Sequence, residues 1–193
     1  MQDRIKVGIV GYGNLGRGVK LALAQNPDFS LEAIFTRRSP QTLAEDVPVV
    51  HISEIHSYKG EVDVMLLCGG SATDLPIQGP ELAEHFNTVD SFDTHAKIPA
   101  YFASVDAAAR QGGHLSLIST GWDPGLFSLA RLLMESVLPA GKTYTFWGRG
   151  VSQGHSDAIR RVPGVKNGIQ YTVPVEEALR RVRTGENPEL STA

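Results

Sequence analysis

One cysteine, Cys68, stands in 193 residues, so no disulfide framework can form within the chain, and a reducing compartment fits. No apolar stretch approaches the ~20 residues needed to cross a bilayer. The start, Met1-Gln2-Asp3-Arg4, runs into a short apolar segment that meets glycines too early to be a secretory h-region. A cytoplasmic location is the expectation. Neither sign of charge dominates: 18 Lys and Arg stand against 21 Asp and Glu, a net charge of -3. Bulk electrostatics therefore argue for neither a nucleic-acid nor a membrane partner. His51, His56, His85 and His114 are scattered without metal-ligand spacing, and no metal is expected. Internal repeats and low-complexity segments are absent.

What is present is alternation. Strand signals fall at Ile5–Val10 and at 31–35, 49–52, 62–68, 88–92 and 115–119, with helical signals at 14–24, 81–86 and 98–110. The 62–68 run is almost continuously apolar, the mark of a strand buried on both faces. Strands and helices in alternation predict an α/β fold, a Rossmann-type doubly wound parallel sheet with right-handed crossovers. About six strands are complete by residue 120. The pattern then changes to a helix at 127–138, an alternating antiparallel strand at 143–147, a short helix at 156–161, a strand at 168–173 and a charged helix at 175–184. A boundary near Ser119 is expected, with a dinucleotide-binding domain at 1–119 and an α+β domain at 120–193 whose two strands make a poor sheet alone.

The first strand ends at once in Gly11-Tyr12-Gly13-Asn14-Leu15-Gly16, which opens a helix. In that context Gly11 makes the tight turn, Gly13 lets backbone approach a pyrophosphate and Gly16 lets helix and strand pack closely. The helix N-terminus supplies free N–H groups. The second strand selects the cofactor. Where NAD enzymes place Asp or Glu for the ribose 2′-hydroxyl, this chain has Thr36-Arg37-Arg38. Two guanidiniums suit a 2′-phosphate, so NADP is expected. Small residues after the buried strand, Gly69-Gly70-Ser71, would let a cofactor lie against backbone, although a plain connecting loop reads equally well.

These motifs converge on a family. The chain resembles meso-diaminopimelate dehydrogenase through VGYGNLGR at 10–17, FTRR at 35–38, CGGSATDLP at 68–76, VDSFDTH at 89–95 and STGWDPG at 119–125. The resemblance continues through TFWGRGVSQGHSDAIRRVPGV at 145–165 and QYTVP at 170–174. It implies NADP-dependent oxidative deamination of the D-centre of meso-2,6-diaminopimelate to L-2-amino-6-oxopimelate, which cyclises to tetrahydrodipicolinate. The reverse reaction would serve lysine and diaminopimelate synthesis. A homodimer is implied as well. Carried onto matching positions, the resemblance implies cofactor contacts from the glycine motif, Thr36, Arg37, Arg38, Cys68, Gly69, Gly70, Ser71, Ser91, Phe92, Asp93, Thr120, Gly121, Trp122, Asp123 and Pro124. Substrate contacts would come from Asp93, Trp122, Asp123, Trp147, Gln153, Gly154 and Thr172. The family's chains are longer, so the second domain is expected to be incomplete at residue 193.

The chemistry makes sense of two of these residues. Asp93 and Asp123 are the candidate catalytic groups: they would hold the reacting ammonium by charge-assisted hydrogen bonds, and either of them, or water, could take its proton. By residue type alone, Asp93 before a helix and Asp123 before Pro124-Gly125 read as a cap and a turn. Two further functions stay open, an NADP-binding module without turnover and another NADPH-dependent reductase of the lysine route. His155 beside Asp157 reads as a satisfied structural histidine.

Overall fold

The computed structural model describes residues 4–141 and 149–185. The chain divides into two compact units, Met1–Met134 and Glu135–Ala193.

The first unit is built on a six-stranded parallel sheet: β1 (Ile5–Val10), β2 (Phe29–Thr36), β3 (Val49–His51), β4 (Val64–Leu67), β5 (Asn87–Asp90) and β6 (Ser116–Leu117). Their spatial order, β3-β2-β1-β4-β5-β6, is that of the doubly wound dinucleotide fold. The reversal point lies between β1 and β4, which pair from Val7↔Val64 to Val10↔Leu67. Helices α1 (Asn14–Leu23), α2 (Leu75–Ala83) and α3 (Ile98–Gly112) connect the strands.

Alternation along β1 and β2 feeds two cores. Ile9 and Ile34 face one side, with Tyr12, Val19, Leu23 and Cys68. Val10, Ala33 and Phe35 face the other, with Met65, Leu67, Leu75, Leu82, Phe92, Tyr101 and Val105. Both faces of the central strands are thereby covered, as a parallel sheet requires.

The helix expected at 81–86 begins earlier, at Leu75, and ends at Ala83. Pro76 sits in its first turn, where a missing N–H costs nothing. Gly79 lets α3 approach: a Cβ there would collide with the Tyr101 ring and hydroxyl. Helix α4 (Leu126–Val137) lies where a helix was expected and has no buried residue.

In the second unit β7 (Gly150–Ser152) pairs antiparallel with β8 (Gln170–Thr172), in register from Gly150↔Thr172 to Ser152↔Gln170. Helices α5 (Gln153–Arg160) and α6 (Glu176–Thr184) accompany them. Ser156 is buried and accepts from the Gln170 N–H at 2.9 Å, tying α5 to β8. The strand expected at 143–147 lies outside the described residues, and β7 was not expected because Gly150-Val151-Ser152 holds a single apolar residue and so leaves no alternation to read. Among the described residues no helix is long and apolar enough to cross a membrane.

Candidate functional site

Three segments separated in sequence meet at the carboxyl ends of β1, β2 and β4. Gly11, Tyr12, Gly13, Thr36, Arg37, Arg38, Cys68, Gly69, Gly70 and Asp74 line one cavity of about 420 Å³. Each glycine of the loop has a separate reason. Gly11 takes φ +92°, and a Cβ there would press on Cys68 backbone at 3.2 Å. Gly16 would drive a Cβ into the Gly11 carbonyl oxygen. Gly13 caps α1, and a Cβ there would meet nothing within 4 Å. Gly13, which lines the cavity beside Gly11, is thus the glycine that offers room, at the positive end of a helix. Tyr12 also lines the cavity. Its ring is buried, and burial with the neighbouring Glu45 carboxylate pushes its hydroxyl pKa up.

At the end of β2, Thr36 is buried and its hydroxyl accepts from the Arg38 N–H at 3.1 Å. The Arg38 guanidinium donates to the Tyr12 carbonyl, which holds it against the glycine loop. Arg37 reaches across to Asp74, with Nη1 to Oδ1 at 3.0 Å and Nη2 to Oδ2 at 3.2 Å. Cys68 is half-buried, and desolvation pushes its thiol up to about 11, so it lines the cavity as a neutral group. The residues fit a dinucleotide bearing a 2′-phosphate: a glycine cradle with room in it, a helix N-terminus and two guanidiniums.

A second group of segments meets at the carboxyl ends of β5 and β6, organised by a residue that sequence reasoning missed. Asp90 is buried at 3% exposure. Its Oδ1 accepts from Phe92 N at 2.9 Å and Ser119 N at 3.1 Å, and its Oδ2 accepts from the Tyr101 hydroxyl at 2.6 Å. Its carbonyl oxygen takes the Thr120 hydroxyl at 2.7 Å and the Thr120 N–H at 2.9 Å. The loop carrying Asp93 and the loop carrying Asp123 therefore hang from one residue. The Tyr101 hydroxyl is raised in pKa by burial and then by that carboxylate. In the sequence Asp90 falls inside the strand expected at 88–92; only the pairing of β5 with β6 shows what it joins.

Asp93 is exposed, and its N–H donates to Ser71 Oγ at 2.8 Å, which links the β4 and β5 loops. It caps neither the following 3-10 turn nor α3, whose N-cap positions are Thr94 and Lys97. Asp123 is also exposed and precedes a cis bond to Pro124. The two loops are neighbours: a Cβ on Gly121 would stand 3.6 Å from Ser91 Cβ. Trp122 is two-thirds exposed and stacks on Phe127, ring centroids 5.6 Å apart.

The remaining sites belong to the second unit. Thr172 ends β8 half-buried, Gln153 opens α5, and Gly154 is exposed in its first turn. Trp147 lies outside the described residues. His155 Nδ1 lies 2.7 Å from Ser152 Oγ. Among the described residues, no cluster of three or more His, Cys, Asp or Glu could hold a metal.

Strand order and glycine cradle together define a doubly wound α/β protein of the dinucleotide-fold class. Comparison with known proteins narrows the class. Residues 121–193 match the family model for the diaminopimelic acid dehydrogenase C-terminal domain. The chain is 68% identical over 192 residues to meso-diaminopimelate D-dehydrogenase of Ureibacillus thermosphaericus, covering 98% of this chain and 59% of that one. Among solved structures, C. glutamicum DAP dehydrogenase in complex with DAP gives a TM-score of 0.88 at 47% identity, covering 98% of this chain and 59% of that one. An engineered D-amino acid dehydrogenase bound to NADP+ gives 0.85 at 46%, covering 97% and 58%. The resemblance to meso-diaminopimelate dehydrogenases thus runs through nearly all of this chain, which spans 59% of the length of the Ureibacillus protein.

Proposed function

We propose that this protein is an NADP-dependent meso-diaminopimelate D-dehydrogenase. Identity of 68% over 192 residues carries the reading. The meeting of the glycine loop, Thr36-Arg37-Arg38 and Cys68-Gly69-Gly70 around one cavity supports it. We take residues 1–119 as the NADP-binding domain and 120–193 as belonging to the substrate-binding and dimerisation domain, in a homodimer.

NADP, when bound, supplies the acceptor for the hydride that leaves the carbon bearing the D-centre amine. The chain's part is to hold and orient. Gly11, Gly13 and the α1 N-terminus carry the pyrophosphate. Arg37 and Arg38 carry the 2′-phosphate. Cys68, Gly69, Gly70, Ser71 and the loops at 91–93 and 120–124 flank the nicotinamide end. Asp93 and Asp123 hold the substrate ammonium. One of them, or water, takes its proton, because only the free amine has the lone pair that stabilises the carbon as hydride leaves. Trp122, Trp147, Gln153, Gly154 and Thr172 hold the rest of the substrate. Water then opens the imine to the 2-oxo acid and ammonia.

Mixing the protein with meso-diaminopimelate and NADP at alkaline pH is expected to form NADPH. The L,L-isomer, which lacks a D-centre, is expected to form none. Absence of NADPH with the meso compound contradicts the proposal. A second reading, an NADP-binding module without turnover, is favoured by one observation: every residue lining the glycine-loop cavity lies within Met1–Met134. NADPH binding without turnover selects it.

A further inference from the structure

The end of β2 carries no carboxylate, yet one reaches the same place from elsewhere. Asp74 stands at the start of α2, 37 positions after Arg37, and brings its carboxylate to that guanidinium through two oxygens. Its side chain is sheltered at 15% exposure, whereas Arg37 is 68% exposed. Three features fix Asp74. Its Oδ2 accepts from Gly70 N at 2.9 Å, and its own N–H donates to the Gly70 carbonyl at 2.8 Å. Gly69 gives it space, because a Cβ there would meet Asp74 Cβ at 2.8 Å. The carboxylate is therefore the anchored partner and Arg37 the exposed one.

The pair stands between two cavities. Arg37 and Asp74 line the glycine-loop cavity and also a second one of about 410 Å³, walled by Ile55, His56, Ile77 and Gln78. The two guanidiniums differ in charge balance. Arg38 rests on a carbonyl oxygen and, among the described residues, faces no carboxylate, so its charge is uncompensated. Arg37 is already neutralised.

We propose that Asp74 sets the cofactor preference of this site: it is a built-in anion that competes with the 2′-phosphate for Arg37. The inference rests on the NADP reading above and deepens it. A 2′-phosphate arriving at Arg37 shares or displaces a carboxylate of the same sign, which opposes binding. A cofactor with only a 2′-hydroxyl feels no such opposition. Arg38 is thus the principal phosphate anchor, and Asp74 restrains the preference that Thr36-Arg37-Arg38 creates.

Asp74→Asn separates the charge from the geometry, since the amide oxygen still accepts from Gly70 N. Binding of NADPH, NADH, 2′,5′-ADP and 5′-AMP to the full chain by calorimetry tests it. NADPH and 2′,5′-ADP are expected to bind roughly two- to fivefold more tightly to Asp74→Asn, the range for one exposed charge pair. The gain should shrink as salt is raised. NADH and 5′-AMP should be unchanged. Weaker or unchanged NADPH binding by Asp74→Asn overturns the inference, as does an equal gain for NADH. Wild-type protein that does not prefer NADPH to NADH overturns the cofactor reading beneath it. A wild type that prefers NADPH while Asp74→Asn changes nothing overturns the role of Asp74 alone.

Discussion

At the scale of the residue, Gly13 and Gly16 belong to one motif but do different work. An added methyl at Gly16 strikes the Gly11 carbonyl oxygen, backbone that cannot give way. Gly16→Ala is expected to cost about 3 kcal/mol or more of stability. An added methyl at Gly13 meets only the cavity. Gly13→Ala should change stability by less than about 1 kcal/mol while weakening NADP binding at least tenfold. Denaturant unfolding and cofactor titration on the two variants check this; strong NADP binding by Gly13→Ala would remove that glycine from the cradle. Cys68 carries a pH signature. Burial raises its thiol from 9.0 to about 11 in the folded chain, so the folded state favours the neutral form. Its contribution is therefore intact below pH 9 and is lost as pH rises toward 11. Thiol labelling of native protein should stay slow to about pH 10 and become fast on unfolding. Between pH 9 and 11, melting temperature should fall more steeply for wild type than for Cys68→Ala. Fast native labelling at pH 8 contradicts the buried placement. Much of this was legible at the level of single residues, since glycine spacing and adjacent arginines encode local backbone needs. Asp74 was not legible as Arg37's partner, because only folding of the β4–α2 connection brings it there.

Elements show where pattern reading succeeds and where it fails. Strands of four or more residues with apolar alternation were found within a few positions, because burial on both faces leaves an apolar imprint. Helix α2 was read six residues late: Pro76 and Pro80 look like breakers, although the first sits where no N–H is needed. The missing piece was what Gly79 permits, namely passage of Tyr101 to Asp90. That bond joins α3 to the β5 and β6 ends and predicts graded damage. Tyr101→Phe leaves Asp90 Oδ2 without its donor and is expected to cost about 1–3 kcal/mol. Asp90→Ala leaves the Phe92 and Ser119 amides and the Tyr101 hydroxyl without their acceptor, an expected cost of about 3–5 kcal/mol. Hydrogen exchange at Phe92 and Ser119 should accelerate strongly in Asp90→Ala and weakly in Tyr101→Phe. Equal protection in wild type and Asp90→Ala contradicts the role given to this carboxylate.

For the whole molecule, apolar burial is unequally shared, and a ligand experiment can exploit that. The first unit holds both core clusters and the complete lining of the glycine-loop cavity. Among the described residues of the second unit only Ser156, Leu179 and Val182 are buried. A dinucleotide in that cavity should therefore stabilise the first unit directly. Binding to the folded form alone adds about 2.7 kcal/mol at a ligand concentration one hundred times its dissociation constant. For a unit of this size that corresponds to a rise of roughly 5–10 °C in melting temperature. NADP is expected to produce that rise, and NAD at equal concentration a much smaller one, because only the former engages Arg37 and Arg38. Hydrogen exchange at the same concentrations should place the added protection at 10–17, 36–38 and 68–71. Equal shifts with NAD and NADP would contradict a site built around the 2′-phosphate, and protection confined to 150–185 would remove the cofactor from the glycine loop altogether.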